Sequence, residues 1–149
     1  MKCPRDGTDL QKVTLLGLEL DKCHTCDGIW LDRGELERLC AADVSGPEEL
    51  IEKKYGNPTS PPGTVAAHMR CPKCGDARLL RSHYTYQNPV AIDRCERCLG
   101  IWLDDSELNA IIGEKKSMEA EDTRFTGFLR ALANRFLFQK NQEDERRAH

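Results

Sequence analysis

The sequence predicts a small, metal-dominated α+β protein: two tandem copies of a cysteine-stapled β-hairpin unit, each with a short helix, joined by a Pro-rich linker and followed by a C-terminal amphipathic helix. Three observations lead there. Six of the eight cysteines in 149 residues stand in Cys-x2-Cys pairs. A segment ending Gly-Ile-Trp-Leu-Asp occurs twice, at residues 28–32 and 100–104. After the second copy the chain changes character, with no acidic residue from Thr123 to Gln142 and a helical apolar stripe.

Composition narrows the class. The chain is 39% hydrophobic and 32% charged, and it has no run of about 18 apolar residues to span a bilayer. The start, Met1-Lys2-Cys3-Pro4, has no apolar stretch of the secretory kind, so a cytoplasmic location is expected. In a reducing compartment this cysteine density points to metal or thiol chemistry rather than disulfides. A net charge of −3 excludes a global cationic field, so any nucleic-acid role needs a local patch.

The first unit, residues 1–42, opens with Cys3-Pro4-Arg5-Asp6-Gly7. Alternation from Val13 to Leu20, interrupted near Gly17, predicts a hairpin. Cys23-His24-Thr25-Cys26 follows, then Trp30-Leu31-Asp32. Asp32 with Glu35 three residues later reads as an N-cap acid and a capping box opening a short helix, whose apolar stripe is Leu36, Leu39 and Cys40. Residues 43–65 hold a second short helix, starting at Ser45-Gly46-Pro47 and running to about Tyr55, and then a Pro/Gly linker at 56–63 that marks the domain boundary. The second unit, 66–116, repeats the first with four extra residues between its paired motifs, where a hairpin tolerates a longer loop, and its helix carries Leu108, Ile111 and Ile112. In the tail, 117–149, Phe125, Phe128, Leu129, Leu132 and Phe136 share one helical face, and the chain from Asn141 reads as a frayed polar end.

Two Cys-x2-Cys pairs can close a tetrahedral shell around zinc, because a two-residue gap lets one tight turn aim both sulfurs at one ion. Cys71, Cys74, Cys95 and Cys98 have the spacing of such a structural site, and Gly75 and Gly100 supply positive-φ freedom where a knuckle needs it. Four unligated buried thiols, or a redox switch, are the other readings. In the first copy Asp6 stands where Cys74 stands in the second, leaving Cys3, Cys23 and Cys26. A carboxylate is an accepted zinc donor with the same single charge, so Asp6 is the expected fourth ligand, with His24, Cys40 or a water as competitors and a metal-free first copy as the degenerate case. Units of about 40 residues bury too little surface to fold on apolar area alone, so zinc at two sites supplies most of the difference and no single large core is expected. Trp30 and Trp102 are expected as lids beside the sites, packed with the following Leu and helix, rather than as base-stacking platforms.

These residues resemble the transcription factor IIB-type zinc-ribbon domain family, small bacterial domains classed with the zinc finger of that factor. The resemblance covers residues 1 to about 40 and 69 to about 112, and the Trp-Leu-Asp ending makes it more specific than paired cysteines would be. It implies two tandem zinc ribbons, each with two knuckles on a β-hairpin platform and a short helix after the second. By position it implies Cys3, Cys23 and Cys26 as ligands in one copy and Cys71, Cys74, Cys95 and Cys98 in the other. Ribbon similarity does not itself confer a role in transcription.

The function expected is a non-catalytic, zinc-binding interaction module that contacts a macromolecular partner such as the transcription or translation machinery. No cluster of Glu or His near the knuckles offers a general base. The alternative from another class is a zinc hydrolase or thiol-redox protein using an open or labile site at Cys3, Asp6, Cys23 and Cys26. Arg78, Arg81, His83, Tyr84 and Tyr86 lie in an acid-free hairpin segment and could meet phosphates and bases, against the plainer reading of a solvated face. The stripe of Phe125, Phe128, Leu132 and Phe136 favours a protein partner, a homodimer included, over a membrane surface.

Overall fold

The computed structural model describes residues 1–42, 46–55, 69–84 and 88–147, with side chains described through residue 131. The expected hairpin forms as β1 (Gln11–Leu15) and β2 (Leu18–Lys22), turned by Leu16 and Gly17 at φ 53° and 77°. Two successive positive φ angles give the twist that suits a two-residue hairpin loop. Then follow β3 (Ile29–Leu31), α1 (Glu35–Ala41) and α2 (Pro47–Tyr55). The second copy supplies β4 (Leu80–His83), β5 (Ala91–Arg94), β6 (Ile101–Leu103) and α3 (Glu107–Arg147). Its four extra residues lie between β4 and β5, where 85–87 fall outside the described residues.

The two copies form a single antiparallel sheet in the order β1-β2-β3-β6-β5-β4. Ile29 pairs with Leu103, Trp30 with Trp102 and Leu31 with Ile101, so an approximate two-fold passes between the tryptophans. This differs from the expected division into separate units: Met1–Glu114 is one compact body, and the boundary expected at 56–63 lies outside the described residues. The physical reason is the backbone of β3 and β6. Each would be an edge strand in a lone ribbon, and pairing them satisfies both sets of peptide groups.

Side-chain alternation sorts the interior into two faces. Ile29, Leu31 and Leu103 point to one, where they join Val13, Leu20, Leu36, Leu39, Ile51, Ile92, Leu108 and Ile111 from both copies and all three helices. Trp30 and Trp102 point to the other, among Cys3, Cys23, Cys26, Cys71, Cys95, Met69 and Leu79. The expectation of no single large core is therefore corrected, since both faces are built jointly by the two copies. The expected packing of each Trp with the following Leu and helix is corrected too, because those lie across the sheet.

Each Trp instead rests on the other copy's glycine. A Cβ on Gly28 would fall within 2.8 Å of Trp102 Cε2, and one on Gly100 within 2.9 Å of Trp30 Cε2. Both indoles are fully buried, and each donates its N–H to the aspartate two residues on: Trp30 to Asp32 at 3.2 Å, Trp102 to Asp104 at 3.1 Å. With Asp32 and Asp104 so used, only half of each expected capping box forms: Glu35 accepts the Asp32 N–H at 2.7 Å, and Glu107 the Asp104 N–H at 2.8 Å.

Lys115–His149 makes up the second compact unit. It is helical to Arg147; no Pro interrupts this stretch, and Lys115 and Glu119 pair one turn apart at 3.8 Å. Phe125, Phe128 and Leu129 are exposed on it, while the side chains of Leu132 and Phe136 lie outside the described residues. No helix among the described residues is long and apolar enough to cross a membrane.

Gly28→Ala and Gly100→Ala are each expected to lower the unfolding free energy of the metal-loaded protein by about 2 kcal/mol or more. Gly113→Ala, with open space around its Cα, is expected to raise it by about 0.5–1 kcal/mol through helix propensity. Urea titration followed by tryptophan fluorescence measures all three.

Candidate metal centres

Four knuckles carry the cysteines. Cys71 and Cys74 sit in the turn before β4, closed by the Gly75 N–H on the Cys71 carbonyl at 2.8 Å, with Gly75 at φ 77°. Cys95 and Cys98 sit between β5 and β6, closed by the Leu99 N–H on the Cys95 carbonyl at 2.9 Å. The left-handed position here belongs to Leu99 at φ 61°, and in the first copy to Asp27 at φ 65°. The expected positive φ at Gly100 is thus corrected: that glycine is required by the approach of Trp30.

The thiols have the spacing of a shared ion. Two sulfurs each about 2.3 Å from a tetrahedral metal lie about 3.8 Å apart. Cys71 and Cys98 Sγ are 3.6 Å apart and Cys74 and Cys95 Sγ 3.9 Å, far beyond the about 2.05 Å of a disulfide. In the first cluster Cys3 and Cys26 Sγ are 3.6 Å apart, and Asp6 Oδ2 accepts from Cys23 Sγ at 3.3 Å. The donor atoms of Cys71, Cys74, Cys95 and Cys98, and those of Cys3, Asp6, Cys23 and Cys26, each lie within 4.8 Å of one another. His24 and Cys40 are outside both groups; Cys40 Sγ lies 3.9 Å from Tyr84 OH on the apolar face.

Asp6 is held for this position by Thr8, a residue the sequence reading did not single out. Thr8 N–H and Oγ1 both donate to Asp6 Oδ1, at 2.9 and 2.6 Å, and Thr8 Oγ1 also lies 3.2 Å from Cys23 Sγ. Partial burial opposes ionisation of Asp6, but the two Thr8 bonds hold its carboxyl at about 2. The thiols split. Cys26 is lowered to about 7 by the hydrogen bond from Cys3, whose own thiol is pushed up. Cys95 also falls to about 7: burial raises it, and the backbone N–H groups of Cys98 and Arg97 outweigh that. Burial pushes Cys23 and Cys71 up. A cationic ion relieves all of these sulfurs at once; four thiolates are a set zinc takes in structural sites, and a carboxylate oxygen is an accepted zinc donor beside three.

The knuckles also clasp across the two-fold. Arg5, between Cys3 and Asp6, reaches Asp104 at 2.8 Å, and Lys73, between Cys71 and Cys74, reaches Asp32 at 3.0 Å. These are the same aspartates that hold the indoles. A basic residue at one repeat position and an acid at another were the available signal for this contact.

Of the residues expected to meet a nucleic acid, Arg78 and His83 are exposed. Arg81 is engaged with the buried Asp93 at 2.8 Å and with Glu107 at 3.6 Å. Tyr84 is half-buried beside Cys40, and burial pushes its phenol up to about 12. Tyr86 lies outside the described residues. Among the described residues, Arg78, Arg81 and His83 are exposed while Tyr84 packs against the apolar face.

Arg5 and Asp104 are 10% and 16% exposed, Lys73 and Asp32 51% and 41%. Arg5→Ala is therefore expected to cost about 3 kcal/mol and Lys73→Ala less than about 1 kcal/mol, read by urea unfolding. Acid should release metal from the two clusters with different steepness. Thiolates take up protons as pH falls whereas Asp6 stays ionised to about 2, so release takes up about three protons at the first cluster and about four at the second. A chelator-dye titration in mild acid checks this, with Asp6→Cys steepening the first step to match the second; equal steps in the unmodified protein would remove Asp6 from the donor set.

No curated protein and no solved structure matches the chain. The transcription factor zinc-finger family matches residues 2–42 and 70–114, one span for each half of the sheet and together more than half of the chain. The protein belongs to that family and carries two tandem copies of its TFIIB-type zinc ribbon.

Proposed function

We propose that the protein is a non-catalytic, zinc-stabilised interaction module of the cytosol that docks a protein partner within the transcription or translation machinery. One observation carries the reading: each cluster draws four donors from the chain itself, with Asp6 fixed by Thr8 in the place of the missing cysteine. Four protein donors fill a tetrahedral shell, whereas a catalytic zinc keeps a position for water or substrate. The two sites then serve to hold the shared sheet.

The partner surface we assign is on α3. Phe125, Phe128 and Leu129 lie within one turn and are 62%, 60% and 47% exposed, an apolar group of the kind that protein interfaces cover. A protein is favoured over a nucleic acid because Arg81 is already paired and Tyr84 is turned into the apolar face.

A photo-crosslinking residue at Phe128 in the full chain, expressed in its host, is expected to trap one discrete protein. Phe125→Glu with Leu129→Glu should abolish the adduct, while native mass spectrometry still shows two zinc ions per chain. Crosslinks that persist through the double substitution would overturn the surface. A hydrolase or thiol activity that disappears in Asp6→Cys would overturn the non-catalytic reading.

A further inference from the structure

We propose that Asp27, Glu52 and Asp105 form a third cation site, separate from the cysteine clusters, that takes an oxygen-preferring divalent ion of the Ca²⁺ or Mn²⁺ kind. The three carboxylates come from distant parts of the chain: the second knuckle of the first copy, α2, and the turn that opens α3. One oxygen from each lies within 4.8 Å of the others. That spread suits a hard ion with oxygens at about 2.1–2.6 Å, and an all-carboxylate set selects such ions over the thiolate-preferring metals.

Glu48 supplies the independent observation. It is one helical turn before Glu52, only 5% exposed, and its Oε1 has no hydrogen-bond partner among the described residues. The Leu108 N–H serves its carboxylate, and Asp105 and Asp27 are the anionic neighbours it faces. Four carboxylates thus gather around one cation, the fully buried Lys22, which pairs with Asp27. A buried carboxylate with one oxygen left unpartnered is costly, and it neutralises itself by holding a proton or meeting a cation. Protons show the strain: burial and then Asp105 push Glu48 up to about 7, and burial and then a shared hydrogen bond with Asp27 push Glu52 up. A divalent ion held by Asp27, Glu52 and Asp105 would discharge the same excess beside Glu48.

The two-fold provides an internal comparison. In the other half Arg94 stands for Lys22, Leu99 for Asp27 and Arg33 for Asp105. Those three line an open cavity of about 360 Å³, which no counterpart of α2 covers among the described residues. The ribbon scaffold therefore does not need carboxylates here, and their presence on one side only is a property of that side.

The test uses the zinc-loaded full chain and Mn²⁺, counted as free ion by electron paramagnetic resonance. One Mn²⁺ is expected to bind per chain with a submillimolar Kd and to be displaced by Ca²⁺. Glu52→Gln and Asp105→Asn, both at partly or fully exposed positions, should each weaken it by about tenfold or more while zinc content stays that of the unmodified protein. No saturable Mn²⁺ binding into the millimolar range, or binding that both substitutions leave unchanged, would overturn the proposal. A site emptied by Zn²⁺ and indifferent to Ca²⁺ would overturn the class of ion.

Discussion

The contact on which the rest depends is the seating of each tryptophan on the other copy's glycine. Trp30 cannot be buried unless Gly100 is in place, and Gly100 stands two residues after Cys98, at the end of a knuckle. The same holds for Trp102 and Gly28, two residues after Cys26. Each metal cluster therefore shapes the surface on which the opposite indole rests. Arg5 and Lys73 tighten the arrangement, because they emerge from the remaining two knuckles and take hold of the aspartates that receive the indole N–H groups. Every knuckle of one half touches the Trp-Leu-Asp element of the other.

This coupling changes the energetic picture of a small ribbon. A lone unit of about 40 residues leans on its metal because it has little apolar area to bury. Here the apolar face collects side chains from three helices and both hairpins, with α2 fastened to the second copy through Asn109, which accepts the Glu48 N–H at 3.2 Å and donates to Glu49 at 3.0 Å. Thr14 of the edge strand β1 donates its N–H to Tyr55 OH at 2.9 Å, so the same helix also covers one rim of the sheet. Metal and apolar packing occupy opposite faces of one layer, and neither face belongs to a single copy.

Much of this was legible in the sequence. Knuckles, hairpins and the Asp-x-x-Glu helix starts are local, and local spacing fixes which side chains a tight turn can bring together; the donor sets, with Asp6 for the missing cysteine, follow from it. What could not be read is the join. Ile-Trp-Leu has the same pattern whether the strand is an edge or a centre, so nothing in its three residues announced that β3 meets β6. For the same reason Gly100 read as a conformational glycine, when its φ is unremarkable and the crowding arrives from a residue 70 positions earlier. Nothing local sets Asp105, Glu48 or Glu52 beside Asp27: the β3–β6 register brings the first, and the folded path of α2 brings the two glutamates.

The Trp–Gly contact is also self-complementary: each copy holds both the ring and the glycine that receives it. That is the geometry of an isologous pair, in which identical chains meet across a two-fold axis. Joining the halves in one chain replaces a concentration-dependent encounter with an effective concentration set by the connecting segment, so the sheet survives dilution to any abundance. It also releases the halves from identity. A symmetric pair must change both sides together, whereas here one half can carry Asp6 and Asp27 while the other keeps Cys74 and Leu99. Covalent linkage is what permits a two-fold scaffold to hold two chemically different ends.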